Sequence, residues 1–388
     1  MEEITKLVLN QAFKDYYFRR AEDVEIPDNI ANREFGYSTF ENAMVRHLSF
    51  SSAGEFHAFL VKESPYSVFS SVSCYAKPSL PMEEKGWQGA DLVFDIDVKD
   101  LEMPCRRVHD SWHCRECGKM GSGLRPAICP SCKTNRINVL GWGCQTCLAA
   151  AKDHVHRIID FLLNDFGTRA DAISVFFSGN LGYHVEVRGQ EMDGLDHDSR
   201  IEIADYITGV GITPQLLGVF PRDKSEVVSQ KMPLTSEAGW RGRLARHFSN
   251  KLKATDAKSD AERAMAIQLA SLGYRRFTNR LAQYAMDLGA KIDRNVTLDL
   301  HRIFRMGGTL HNKSGLIKKR CEDLTSFDPF NDALGVIGEP IEVHVSYSPP
   351  FTLGDEDFGP YSDSRVTLPL HAAAYLMCKG LARPRNDS

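Results

Sequence analysis

Apolar residues recur along this chain with two different periods, and the changes of period mark its elements. Alternation with a period of two is cleanest in GADLVFDIDVKD, residues 89–100. Leu92, Phe94, Ile96 and Val98 fall on one face and Asp95, Asp97 and Lys99 on the other, which predicts a strand with one buried side. Helical spacing is clearest in Leu148, Ala151, Val155, Ile158, Ile159, Leu162 and Phe166, with Gly167 as the stop. Weaker patterns predict a helix over 1–20, strands around a turn over 33–50, a short helix over 55–64 and a strand in SVFSSVSCYA. ISVFFSGNLGYHVEV reads as two strands about a Gly-bounded turn. Residues 197–290 read as helical, with a long amphipathic run over 257–289; a helix, short strands and a last helix near 369–379 complete the chain. No internal repeat is visible. No stretch approaches the ~18 uninterrupted apolar residues of a membrane span, and the first residues are acidic and helix-like rather than a leader, so a cytoplasmic chain with no membrane partner is expected.

The 388 residues suggest two or three units and exclude a disordered or fibrous class. The formal charge of −4 hides three basic stretches: seven Lys/Arg against two acids in 105–136, five against none in 238–253, and six against none in 301–320. Each alone fits a solvated face. Three in one acidic chain point to a polyanionic partner, nucleic acid or nucleotide phosphates.

Seven of the ten cysteines lie between 105 and 147, six of them in Cys-x-x-Cys pairs. In a reducing compartment that clustering is a metal signature. Cys114, Cys117, Cys129 and Cys132 can supply four thiolates to one tetrahedral Zn²⁺, with Gly118, Gly121, Gly123 and Pro130 as turn formers of a zinc ribbon. Cys144 and Cys147 need two further ligands; Cys105 and His109 are the best couple upstream, with His113 as the spare. Neither set leaves an open coordination position, so one structural Zn²⁺ is expected in the outer set and a second in the inner ribbon. Cys74, Cys321 and Cys378 stand alone and read as core or inert residues.

Asp95 and Asp97, at i and i+2 on one strand, point from the same face roughly 7 Å apart. They can hold Mg²⁺ or Mn²⁺, and a pair of such ions about 4 Å apart activates a hydroxyl and neutralises a triphosphate leaving group. An Asp-x-Asp on an open strand face is also often merely solvated. Two companions change the balance. SGNLGYH, Ser178 to His184, sets two glycines in a tight turn whose backbone N–H groups can approach an anion. DRNVTLDLHRIFRMGGTLHNKSG, 293–315, begins with Asp293 and continues with Arg302, Arg305, His311 and Lys313, donors suited to phosphate oxygens.

With these motifs in order, the sequence resembles the catalytic small subunit of archaeal and eukaryotic DNA primases, within the archaeo-eukaryotic primase superfamily. The resemblance covers nearly the whole chain and rests on FDIDVKD, SGNLGYH and the Asp293–His311 element. REFGY with Arg46, GWRGR at 239–243 and LPLHAAAYLMCKG look like the archaeal branch. It implies an α/β (α+β) fold with an RRM-like antiparallel catalytic sheet, and three metal-binding carboxylates at Asp95, Asp97 and Asp293. Nucleotide contacts would fall at Ser178, Gly179, His184, Arg305 and His311, with Lys313 a further donor and Glu34 and Arg46 active-site positions of the N-terminal element. The family's structural zinc corresponds to Cys105, His109, Cys144 and Cys147. The expected activity is two-metal synthesis of short RNA primers, with DNA primers left open, on a single-stranded DNA template from nucleoside triphosphates, in a heterodimer with a large subunit. The expected organisation is a catalytic core over 1–104, 148–196 and 291–388, a zinc module with its inserted ribbon over 105–147, and a helical subdomain over 197–290. Two departures stand out: Leu181 replaces the arginine many relatives carry in the phosphate turn, and the Cys114–Cys132 ribbon is additional to a single-zinc knob. A non-catalytic zinc-ribbon protein binding single-stranded nucleic acid would explain the cysteines and basic runs without the carboxylates, and a repair or end-joining polymerase of the same superfamily would share the chemistry.

Overall fold

A computed structural model of the chain describes residues 1–221, 227–229, 233–251 and 257–385. Residues 222–226, 230–232 and 252–256 of the stretch read as helical, and with them the end of the 238–253 basic run, lie outside the described residues.

Helix α1 (Glu3–Arg20) turns Leu9, Phe13, Tyr16 and Tyr17 inward. It is followed by β1 (Arg33–Ser38), β2 (Met44–Leu48), α2 (Ala53–Glu63), β3 (Ser67–Tyr75), β4 (Trp87–Ala90) and β5 (Leu92–Asp97). The alternation read in β5 holds, with Leu92, Phe94, Ile96 and Val98 all fully or almost fully buried. Next come three short strands, β6 (Ser111–Cys114), β7 (Met120–Ser122) and β8 (Ile137–Leu140), then α3 (Gln145–Asn164), β9 (Ile173–Phe177) and β10 (Gly182–Val187). The helical stretch supplies α4 (His197–Thr208), α5 (Gly239–Lys251), α6 (Ala257–Leu272) and α7 (Tyr274–Leu288). The chain then returns through β11 (Ile303–Arg305), β12 (Lys319–Arg320), β13 (Ile341–Ser348), β14 (Tyr361–Leu368), α8 (Leu370–Cys378) and β15 (Ala382–Pro384).

Two antiparallel sheets carry the arrangement. One runs β11-β3-β1-β2 with β4 also on β3, and the other runs β12-β9-β10-β5. A small cluster of Val72, Val93 and Val296, with Phe304 against it, packs residues of both sheets together. The main core joins α1, α2, α3 and α8 to the sheets. A third sheet, β14-β13-β15, lies next to α8 in sequence, and β7-β6-β8 form the cysteine-rich knob.

The reading of 197–290 as helical needs one correction. Between α4 and α5 the chain makes a short antiparallel pair, Val219–Pro221 with Val227–Ser229. Gly209 and Gly218 adopt left-handed backbone there, and Pro214 opens a one-turn 3₁₀ segment, so helical periodicity cannot continue. Among the described residues no helix is long and apolar enough to cross a membrane.

Candidate active site and metal centres

Strand β5 lies against β10 in a register that sets Asp95 opposite His184 and Asp97 opposite Gly182. The pairing is close: a Cβ on Gly182 would stand 2.1 Å from the Ile96 carbonyl oxygen, so no other residue fits there without parting the strands. With Phe94 and Ile96 turned into the core, Asp95 and Asp97 face the other way, 20% and 27% exposed. Asp293 arrives from much later in the chain, and its backbone N–H donates to the Asp95 carbonyl at 2.9 Å. Each carboxylate is turned onto a neighbour of its own. Asp97 accepts from the Lys99 backbone N–H and Nζ, both at 2.9 Å, Asp293 accepts from the Asn295 N–H at 3.1 Å, and Asp95 Oδ1 lies 3.6 Å from His184 Nε2. Among the described residues the three do not converge to within 4.8 Å, as the two cysteine sets do. Their mutual field is nonetheless strong: burial, then Asp97, with a smaller contribution from Asp293, pushes the Asp95 carboxyl up to about 7.

The SGNLGYH turn joins β9 to β10, closed by the Ser178 N–H on the Gly182 carbonyl at 2.9 Å. Gly179 has φ +89°, and a Cβ on it would lie 2.9 Å from His311 Cβ, so glycine lets the turn approach the 311–318 segment. Ser314 Oγ bonds the Gly179 carbonyl at 2.5 Å and fixes that approach. His311 Nδ1 accepts the Lys313 N–H at 3.0 Å, which leaves the proton of the neutral ring on Nε2 as a free donor. Burial and the surrounding cations hold both His311 and His184 well below the ordinary imidazole range. Arg305 lies over the Phe69 ring at 5.0 Å and donates to the Leu310 carbonyl and Asn312 Oδ1, its pKa drawn down to about 10 by burial. Two buried polar atoms of the turn, Asn180 Oδ1 and His184 Nδ1, have no partner. Of the two, only the His184 ring nitrogen could donate to a phosphate; the Asn180 oxygen accepts and would need a donor group on a ligand.

No motif marks the buried supports beneath these groups. Lys318, near the end of a basic stretch that alone fits a solvated face, is fully buried; its Nζ reaches Glu186 at 2.5 Å and the Arg305 carbonyl at 2.7 Å, between the Phe176 and Phe304 rings. Glu34 is fully buried as well. It receives Arg46 at 3.0 Å, the His47 N–H and the equally buried Lys85. Burial works to raise the Glu34 pKa, but Arg46 and Lys85 hold it below the usual carboxylate range. Glu34 therefore positions Arg46, which is partly exposed.

Both cysteine sets come together. In the outer set Cys105 Sγ and His109 Nε2 each lie 3.2 Å from Cys147 Sγ, and Cys144 completes a group whose ligand atoms are all within 4.8 Å. In the inner set Cys114 and Cys132 are 3.5 Å apart and Cys117 and Cys129 3.7 Å. Ligands bonded to one zinc at ~2.0–2.3 Å stand about 3.3–3.8 Å from each other, so both sets fit tetrahedral Zn²⁺. The histidine in the outer set is His109; His113 instead lies beside Asn138. Asp110 takes His109 Nδ1 at 3.0 Å, which orients Nε2 toward the sulfurs. Leu181 lies over Gly141 and Gly143: a Cβ on Gly143 would meet it at 2.6 Å. It joins the Ser178–His184 turn to the base of the knob by apolar packing.

Residues 142–322 match the family model described as DNA primase small subunit. The DNA primase small subunit PriS of Cenarchaeum symbiosum is 39% identical over 98% of this chain and 99% of its own length. The proteins of the same name from Nitrosopumilus maritimus and Archaeoglobus fulgidus are 36% and 29% identical, over 98% and 97% of this chain. Identity of that extent over nearly the whole of both chains shows that the chain belongs to the DNA primase small subunit family.

Proposed function

We infer that this primase small subunit makes short RNA primers on single-stranded DNA by nucleotidyl transfer, with Asp95, Asp97 and Asp293 holding two Mg²⁺ or Mn²⁺ ions. The reading is carried by one juxtaposition. Asp95 and His184 face each other across a single antiparallel pair, with Asp293 bonded to the Asp95 backbone, so clustered carboxylates stand against a phosphate-suited turn. When bound, the ions would lower the pKa of the attacking 3′-hydroxyl and neutralise the departing pyrophosphate. The chain's own groups do the positioning. The Gly179 turn brings its backbone to the phosphates, His311 donates from Nε2–H while remaining neutral, and Arg305 supplies a planar cation held by Phe69 and Asn312. Arg46, braced by Glu34, and Lys313 complete the donor set. Much of the rate gain then comes from orientation in a site whose dipoles are already set.

Within this proposal the core comprises 1–104, 148–196 and 291–388, the zinc module 105–147 and the helical subdomain 197–290. Both zinc ions are structural, the protein acts in the cytoplasm, and its partner is a primase large subunit. The test is Asp97→Ala with the folded state monitored: primer synthesis on single-stranded DNA should fall by at least about a thousandfold, the scale of losing electrostatic stabilisation at the reacting centre, while circular dichroism is unchanged. Near-wild-type dinucleotide synthesis by that variant would overturn the reading.

A further inference from the structure

A cavity of about 750 Å³ lies between the 312–313 turn, the start of α1, β13 and the α8–β15 corner. Its edge is shared with the donor strip, because Asn312 bonds Arg305 and the Lys313 N–H bonds His311. Lys379, the residue that caps α8, lines it. The Lys379 ammonium lies 5.0 Å from the centre of the Trp142 ring and 4.7 Å from that of Tyr375. Two aromatic faces and a helix C-terminus explain why a cation is tolerated there. They fill none of its three N–H donors. Among the described residues no carboxylate or hydrogen-bond acceptor reaches Nζ. Burial holds the amine down at about 8 against the pull of Cys378 and Asp110, and Lys313 adds to the lowering.

A half-buried ammonium without an acceptor is costly unless something anionic comes to it. The lining says what that would be. Glu2 is its one carboxylate and is already paired with Arg383 at 3.0 Å, and His344 is held by Asp363 at 2.7 Å. Lys313 and Lys379 remain as uncommitted cations, and the charges of both reach His311. We propose that this cavity receives the distal end of the incoming nucleotide's triphosphate, and that Lys379 is a nucleotide-binding residue contacting its last phosphate, with Lys313 on the other side. The proposal rests on the nucleotidyl-transfer reading above and extends the binding site to the C-terminal helix. A point-charge donor suits the freely rotating end of a triphosphate, where a planar arginine fork would demand one orientation.

Lys379→Met keeps the aliphatic stem over Trp142 and Tyr375 and removes only the charge; Lys379→Arg keeps the charge. Two quantities are read on the full chain: KM and kcat for nucleoside triphosphate in primer synthesis, and the affinity for inorganic tripolyphosphate by calorimetry, which needs no turnover. Lys379→Met should raise KM about tenfold and weaken tripolyphosphate binding by the same factor, the worth of one charge-assisted hydrogen bond. Its kcat should stay within about threefold and its affinity for a nucleoside monophosphate within about twofold, and Lys379→Arg should recover most of both losses. The proposal is overturned if KM and tripolyphosphate affinity stay within about twofold of wild type, too little for a lost charge-assisted contact. It is equally overturned if monophosphate and tripolyphosphate affinities fall together with the melting temperature, the mark of a packing role. Tripolyphosphate binding separates the two readings: it reports on Lys379 even if Asp97→Ala shows that the carboxylates are not catalytic.

Discussion

Asp95→Asn should destroy primer synthesis and at the same time stabilise the protein above neutral pH. The Asp95 carboxyl is raised from 3.8 to about 7 by burial and by Asp97, with a smaller contribution from Asp293. A carboxyl whose native-state pKa lies above its unfolded one favours the folded state fully below the unfolded value and loses that contribution as pH climbs through the native one. At ~1.4 kcal/mol per pH unit, the raised pKa costs the fold on the order of 4 kcal/mol by pH 8, where Asp95 is ionised, and on the order of 2 kcal/mol at pH 5, where the native carboxyl stays protonated while the unfolded one is ionised. Asparagine has the same shape and carries no charge at either pH. For a chain of this length the unfolding entropy near the midpoint is roughly 0.8 kcal/mol per degree, so the variant should melt about 5 °C above wild type at pH 8 and about 2 °C above it at pH 5. Differential scanning fluorimetry without added Mg²⁺ or Mn²⁺, and without a chelator that would strip zinc, reads both. An Asp95→Asn protein that melts at or below wild type at pH 8, or whose advantage is equal at both pH values, would refute the account of Asp95 as a strained carboxylate held for function.

Three other outcomes follow from the same geometry. Gly179→Ala puts a methyl 2.9 Å from His311 Cβ and should cost about 2–4 kcal/mol and raise the KM for nucleotide, whereas Gly167→Ala, also at positive φ but with nothing within 4 Å, should cost only about 1 kcal/mol; chemical denaturation and KM measurements compare the two. Lys318→Met removes one of the two cations on Glu186, leaving Arg188, and should destabilise the fold by about 3 kcal/mol, part of which the double variant with Glu186→Gln restores, as denaturation midpoints will show. Metal analysis should find two zinc ions per chain; Cys132→Ser should retain one of them and most of the thermal stability, while Cys147→Ser, fully buried at the start of α3, should lower the melting temperature of the whole protein.

What could be read in the sequence, and what could not, divides along physical lines. Strand β5 and helix α3 were legible because each buries one face and exposes another, so the period of its apolar residues reports the geometry directly. The zinc sets were legible because two residues between cysteines is a local constraint on ligand placement. His109 was rightly preferred to the spare His113, but the features that place it, a single helical turn at Arg106–His109 and Asp110 orienting the ring, were not visible in the sequence. Buried charges were not legible either. Lys318, Glu34 and Lys85 are fully buried, and a sequence shows a charge without showing its partner, which comes from elsewhere in the chain. Leu181 looked like a lost phosphate contact; its packing on Gly141 and Gly143 gives it a reason that no motif records.

The bond from the Asp293 N–H to the Asp95 carbonyl has a consequence for how the protein comes into being. Asp95 leaves the ribosome first, His184 follows with β10, and Asp293, Arg305 and His311 emerge well after both. A nascent chain thus carries the strand that bears the first two carboxylates long before it has the third or the donor strip. The metal-binding set proposed above is therefore complete only once the chain has reached Asp293, so a fragment ending before it would lack the third carboxylate and the whole donor strip.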